Sequence, residues 1–139
     1  WSGGNPQSGF RLVRQSVEPG ASEELLAAVP ARYLAIQDDT ICFGTAYGPS
    51  LGVFSLPKSG GAPKPLFAGK SGPVTISGTE LFVADGTTDD SVQHNTVQRI
   101  DLVTGEATLF ATDPKIHAIT SDAPHVYYVS AGDLVKRKK

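Results

Sequence analysis

The chain predicts an all-β fold built from small antiparallel sheets repeated in tandem. Three observations predict it. Short apolar runs alternate with turn-forming clusters rich in Gly, Pro, Asp and Ser. Gly (15) and Pro (10) are frequent for 139 residues, which favours many turns over long helices. One two-strand phrase also recurs, at 33–36 with 40–44, at 73–76 with 80–84, and at 116–119 with 125–129. Its anchors Ile36, Ile76 and Ile119 lie 40 and 43 residues apart. A period of about 40–50 residues with four short strands per unit predicts a β-propeller.

The elements follow in order. Phe10 to Arg14 and Glu24 to Ala27, joined through Glu18-Pro19-Gly20, read as strands c and d of a first unit spanning 9–30. The segment from Ser22 to Val29 carries strong helix formers, an N-cap candidate at Ser22 and a stop at Pro30. Propensity there favours helix and the repeat favours strand; strand is the expectation adopted. A full four-stranded unit is expected over 31–69 and another over 70–113. Strands a to c of a last unit are expected over 114–139. That makes about three blades' worth of four-stranded antiparallel sheets. Inner strands covered on both faces should be continuously apolar, as Leu81-Phe82-Val83-Ala84 is. Arg14, Arg99 and Arg137 fall in register between units.

Composition bounds the function. Hydrophobic residues make up 40% and charged residues 19%, as in a globular domain. The net charge of -2 offers no overall attraction to nucleic acid or an anionic membrane. No apolar run approaches the roughly 20 residues of a membrane-spanning helix. The single cysteine, Cys42, lies in an apolar run and is expected to be a buried, inert thiol. The sequence has no methionine and starts at Trp1. It therefore reads as a processed or excised chain, and a removed signal peptide would look the same. A secreted or periplasmic location is the expectation.

The run from Val126-Tyr127-Tyr128-Val129 through Asp133-Leu134-Val135-Lys136-Arg137 resembles the second and third strands of six-bladed β-propellers of the YWTD and NHL kind. The turn Lys58-Ser59-Gly60-Gly61-Ala62-Pro63 resembles their c–d hairpin. The resemblance covers nearly all of the chain past Gly9, although no YWTD tetrapeptide stands in it. It implies a ring of blades, of which this chain encodes about half. An unclosed array leaves an apolar blade face and open strand edges. Completion by a second chain or a second copy is therefore expected, as a hetero- or homo-oligomer.

In such propellers the b–c and d–a connections share one face. The longest polar loop, Asp85 to Asn95, is a b–c connection. Long loops on rigid scaffolds often carry function. Asp85, Asp89, Asp90, His94 and His117 form the candidate ligand-binding set at the channel mouth. His117 stands where the other repeats carry Leu34 and Val74. Carboxylates suit a hard cation such as Ca²⁺, and imidazole suits zinc-like metals, but the spacing matches neither an EF-hand nor a zinc motif. The competing reading is a solvated loop beside a hydrogen-bonded histidine. No other cofactor is implied.

Two look-alikes fail on context. Gly48-Pro49-Ser50-Leu51-Gly52 has the G-x-S-x-G form, but a strand follows it instead of the helix a nucleophile elbow needs. Gly69-Lys70-Ser71 lacks the earlier glycine of a phosphate loop, since position 64 is Lys64. The tail of Lys136, Arg137, Lys138 and Lys139 reads as a charged edge strand. No nucleophile–base pair stands at a diagnostic spacing. The leading expectation is a non-catalytic module that binds a ligand or protein partner through its loop face. The alternatives are a hydrolase or lactonase-like propeller with a channel-mouth metal, and a purely structural half-ring.

Overall fold

The computed structural model describes residues 11–14, 23–27, 31–45, 51–85 and 94–139. Its strands are β1 (Arg11–Arg14), β2 (Glu23–Ala27), β3 (Ala31–Gln37), β4 (Thr40–Thr45), β5 (Gly52–Pro57) and β6 (Lys64–Ala68). They continue with β7 (Ser71–Ser77), β8 (Glu80–Asp85), β9 (His94–Asp101), β10 (Ala107–Ser121), β11 (His125–Ser130) and β12 (Asp133–Lys138). All the described elements are strands, and every pairing is antiparallel.

The strands form a two-stranded sheet β1-β2, a four-stranded sheet β3-β4-β5-β6, and a six-stranded sheet β12-β11-β10-β9-β8-β7. The six-stranded sheet exists because β10 serves two neighbours. Residues from Ala107 to Thr112 pair with β9, and residues from Ile116 to Ser121 pair with β11. Between them the register slips and Lys115 takes a φ of 59°. The strand turns there without ending.

The helix-forming run Glu23–Ala27 is a strand. It pairs with β1, with Arg11 opposite Ala27 and Arg14 opposite Glu23. So short a helix is marginal on its own, and strand pairing satisfies the same backbone groups.

Turn chemistry sets the hairpins. Asp38 (φ 49°) and Gly78 (φ 61°) take the first position of the β3–β4 and β7–β8 turns. Ala131 and Gly132 both have positive φ between β11 and β12, the geometry that matches strand twist in two-residue hairpins. Between β9 and β10, Asp101 Oδ1 accepts from the Val103 and Thr104 amides, each at 2.8 Å. Those two amides hold the Asp101 carboxyl below its ordinary range.

Three apolar cores separate the layers. Leu12 of β1 packs with Ile41, Phe43 and Leu56, and Phe43 stacks on Phe54 at 5.5 Å. Cys42 and Val53 pack with Val74, Leu81, Val83 and Ile100. Phe82, Ala84 and Val97 pack with Ile116, Val126 and Tyr128. Alternate residues of β8 thus serve two cores, Leu81 and Val83 one, Phe82 and Ala84 the next. A strand covered on both faces needs apolar residues at every position, which is why this run shows no alternation.

Hydrogen bonds between neighbouring hairpins lace the layers together. The Gln37 amide exchanges bonds with Gly78, donating to its carbonyl at 3.2 Å and accepting from its N–H at 3.0 Å. Ser77 Oγ donates to the Asp122 carbonyl at 3.2 Å, and Ser121 Oγ to the Ile76 carbonyl at 3.2 Å. Strands β3, β7 and the second half of β10 therefore stand side by side as the inner strands.

The anchor isoleucines share a face but not a register: Ile36 and Ile76 lie opposite the second residue of the following strand, and Ile119 opposite the fourth. Ile36 opposes Ile41, Ile76 opposes Leu81, and Ile119 opposes Tyr128. Ile76 and Ile119 pack into the cores on the side of the preceding layer. Ile36 is 59% exposed and Leu34 40%, because the preceding layer, as described, is only β1-β2 and does not reach them.

Candidate functional site

Each inner hairpin carries a bulge at its outer end, between Ala31 and Tyr33, between Ser71 and Val74, and between Ile116 and Ala118. A bulge inserts unpaired residues and re-aims side chains. His117 falls on the third bulge and is exposed. Its structural counterparts are Arg32 and the pair Gly72 and Pro73, not the Leu34 and Val74 that simple repeat alignment suggests. Its neighbour Ile116 is fully buried and holds the strand in place.

Strand register brings three of the candidate residues to one end of the six-stranded sheet. Asp85 closes β8, opposite Ser71 of β7 on one side and Thr96 of β9 on the other. His94 opens β9 and is the register partner of Ile116, directly before His117. Asn95 Oδ1 accepts from the Lys115 amide at 3.5 Å, joining β9 to the bend of β10. Asp85 is half-buried. Asp89 and Asp90 lie outside the described residues. Among the described residues, no group of three or more His, Cys, Asp or Glu is placed to hold a metal ion.

Beside this end lies a polar network that sequence reasoning missed. The Tyr128 ring is 1% exposed, and its hydroxyl donates to Asp113 Oδ2 at the bend of β10. Arg137 of β12 donates from Nε to the same hydroxyl at 2.5 Å and from Nη2 to Asp113 Oδ2 at 2.8 Å. The Tyr128 hydrogen bond, helped by the guanidinium, lowers the Asp113 pKa from its ordinary value. Burial, with the carboxylate, raises that of Tyr128. Ser130 Oγ also donates to the Pro114 carbonyl at 2.6 Å. Two signals in the sequence pointed here: a tyrosine at a buried alternate position, and an arginine in an otherwise lysine-rich edge strand.

The three arginines that the sequence repeat matches do different work, and strand register separates two of them: Arg99 lies opposite Phe82, the third residue of β8, and Arg137 opposite Val126, the second of β11. Arg14 donates to the Lys58 carbonyl at 3.0 Å in the next layer, Arg99 pairs with Glu80 in its own sheet, and Arg137 reaches the bend. His125 lies at the opposite end of the sheet, where it opens β11. Its amide donates to Asp122 Oδ1 at 2.8 Å, and Tyr127 donates to the other oxygen of that carboxylate at 2.8 Å.

Cys42 is fully buried, and burial pushes its thiol up to about 12. Gly52 of the G-x-S-x-G look-alike opens β5, while residues 46–50 lie outside the described set. Ser71 of the phosphate-loop look-alike opens strand β7 and is buried, its hydroxyl on the Gly72 carbonyl at 3.0 Å. Neither sequence precedes a helix.

No protein-family model and no curated protein matches the chain. Solved structures do. A chain of a nidogen/laminin complex matches with a TM-score of 0.74 at 11% identity, over 94% of this chain and 51% of that one. A structural-genomics protein of unknown function from Bacteroides thetaiotaomicron matches with a TM-score of 0.60 at 17% identity, over 93% of this chain and 38% of that one. PorZ, a surface component of the type-IX secretion system of Porphyromonas gingivalis, matches with a TM-score of 0.52 at 18% identity, over 88% and 17%. This chain spans about half the length of the first and less of the others. At these identities the likeness is one of fold. The layered antiparallel sheets and their structural neighbours together make the chain an all-β, partial β-propeller.

Proposed function

We propose that the chain is a non-catalytic binding module, a run of propeller blades whose loop end takes a ligand or protein partner and whose open flanks are covered by further blades. The observation that carries this reading is the apolar surface left at both flanks. Leu34 and Ile36 lie open on β3, and Leu134, 74% exposed, lies open on β12. Isolated exposed apolar residues are ordinary, but these fall on sheet faces that the intervening layers bury against one another. In this reading β10 changes blades at the bend, so the units run 9–30, 31–69, 70–113 and 114–139. The completing blades come from a second chain or a second copy, and the repeats are of the six-bladed YWTD or NHL kind.

The ligand set is Asp85, Asp89, Asp90, His94 and His117, and Ca²⁺ is the cation its carboxylates would suit. The register of β8, β9 and β10, which draws Asp85, His94 and the His117 bulge to one sheet end, supports the grouping. A secreted or periplasmic location belongs to the same proposal. Cys42, wholly enclosed, is compatible with an oxidising compartment. The exposed His117 is the one feature that favours the alternative, a hydrolase-like propeller with a metal at the mouth.

Two measurements test the reading. Light scattering after size exclusion should show the chain associating with itself or with a copurifying polypeptide. A stable lone monomer would defeat the ring. Calorimetry with Ca²⁺ and Zn²⁺ should give heat that His117→Ala diminishes, and silence with both ions would remove the metal from the proposal.

A further inference from the structure

Three strands share a short pattern: Glu23-Glu24-Leu25-Leu26-Ala27 in β2, Lys64-Pro65-Leu66-Phe67-Ala68 in β6, and Ala107-Thr108-Leu109-Phe110-Ala111 at the start of β10. Each pairs with the strand before it and skips one residue of its own, Leu25, Leu66 or Phe110. They differ at their first two positions. There β2 carries two carboxylates, and β6 carries a cation and a proline. Charges and proline are the residues by which proteins keep an open strand edge from pairing with another chain. Strand β10 has Ala107 and Thr108 instead, with neither device.

That edge is open in the interior of the chain. Among the described residues, Ala107 to Thr112 pair with β9 alone, because β11 meets β10 only past the bend, from Ile116. Ala107, Thr108 and Leu109 are exposed, Leu109 by 62%. The Asp101 N–H donates to the Glu106 carbonyl at 2.9 Å, which sets the phase of the ladder. Bonded pairs alternate along an antiparallel ladder, so Thr108 bonds with Arg99, and the amides and carbonyls of Ala107 and Leu109 face outward. The skipped Phe110 ends the alternation there.

This short outward run is complementary to itself. A two-fold axis at Thr108 sets Ala107 of each copy opposite Leu109 of the other, so each outward amide meets an outward carbonyl. A longer foreign strand would lose its partners at Phe110. Thr108 then faces Thr108, an uncharged β-branched pair of the kind that stabilises a ladder. Glu106 falls opposite Phe110 of the other copy, so no carboxylate faces another. We propose that the opening segment of β10 pairs with the same segment of a second copy of the chain, antiparallel about Thr108. The contact joins two molecules edge to edge at the outer strand of a layer. It is separate from the completion of the ring, which would use the flank marked by Leu34 and Ile36.

A cross-link tests the register. Unbonded antiparallel pairs stand about 4.5 Å apart at Cα, within the roughly 4.4–6.8 Å that a disulfide spans. The native Cys42 is buried, so a thiol introduced on the edge is the reactive one. Mild oxidation of Thr108→Cys should give a disulfide-linked dimer. Thr112→Cys, exposed on the same edge past Phe110, should give at least about tenfold less. In light scattering without oxidant, Leu109→Pro removes an outward donor that the dimer uses twice and leaves the bonds to β9 intact. It should weaken association by about tenfold or more. Thr108→Lys and Thr108→Glu serve where the proline variant does not fold. Each alone sets like charges face to face and should associate more weakly, and their equimolar mixture should associate again. Equal cross-linking at 108 and 112 would overturn the proposal. So would association that none of these variants alters, or a mixture no stronger than its parts. A chain that stays monomeric yet binds an uncharged Thr–Val peptide, and loses it in Leu109→Pro, would make a foreign strand the occupant and overturn the second copy. If Ile36→Lys abolishes association while the Thr108 variants change nothing, this proposal falls and the ring stands. If the Thr108 variants abolish it while Ile36→Lys changes nothing, the ring falls and the edge contact stands.

Discussion

The Tyr128 hydroxyl donates a hydrogen bond to the Asp113 carboxylate, fifteen residues earlier in the chain. The bond ties the middle of β11 to the bend at which β10 passes from one neighbour to the next. Arg137 completes the contact from the other side. Removing the hydroxyl leaves Asp113 and Arg137 still in direct contact, so Tyr128→Phe should cost only about 1–2 kcal/mol. Asp113→Ala should cost more, because it leaves the Tyr128 hydroxyl proton and Arg137 Nη2 without their acceptor. Urea denaturation of the two variants checks the order.

The same network predicts an acid limb. Asp113 has its folded pKa lowered from an ordinary 3.8. A lowered carboxyl contributes stability that is present above its unfolded pKa and is lost as pH falls through the folded one. Stability should therefore decline below about pH 4, and Asp113→Asn should flatten part of that decline. Thermal melting across this range, on wild type and variant, reads the difference.

Gly44 and Ser71 bring two layers into close approach. A Cβ on Gly44 would lie 2.1 Å from Ser71 Oγ and 2.7 Å from its Cβ. Gly44→Ala should destabilise by about 1–3 kcal/mol, the range seen for overpacking. Adding Ser71→Gly should recover part of the loss, because the two sites share one contact. A double-mutant cycle on melting temperature measures the coupling.

Cys42 should be silent in the native protein. With the thiol buried and its pKa pushed up to about 12, there is almost no thiolate near neutral pH. Alkylation at pH 8 should be negligible until denaturant is added, and mass spectrometry reads the adduct directly.

The open flank separates folding from assembly. Ile36 is 59% exposed, so Ile36→Lys should leave the chain's own melting within about 0.5 kcal/mol of wild type. The same change should weaken association, which sedimentation of the variant would show as a shift towards the monomer.

The strands were legible because their signals are local. Apolar runs and turn residues at 38–39, 78–79 and 131–132 mark the hairpins, and the run from Leu81 to Ala84 shows by its lack of alternation that both faces are covered. The segment Glu23–Ala27 was ambiguous, since its residues favour a helix while the structure pairs it with β1. The candidate site was legible only as a list of residue types. Repeat alignment set His117 against Leu34 and Val74, but Ile119 pairs two residues further along its partner strand than Ile36 and Ile76 do, and that places His117 with Arg32 and the Gly72–Pro73 bulge instead.

The amino-acid order by itself determined that this chain makes short antiparallel strands at a regular period, because backbone pairing and turn preferences act between near neighbours. Tertiary structure decided how β10 is shared, which residues its bulge turns outward, and that Asp113, Tyr128 and Arg137 meet. Those outcomes depend on the packing of layers against one another, and side chains distant in sequence take their positions only once the sheets have stacked.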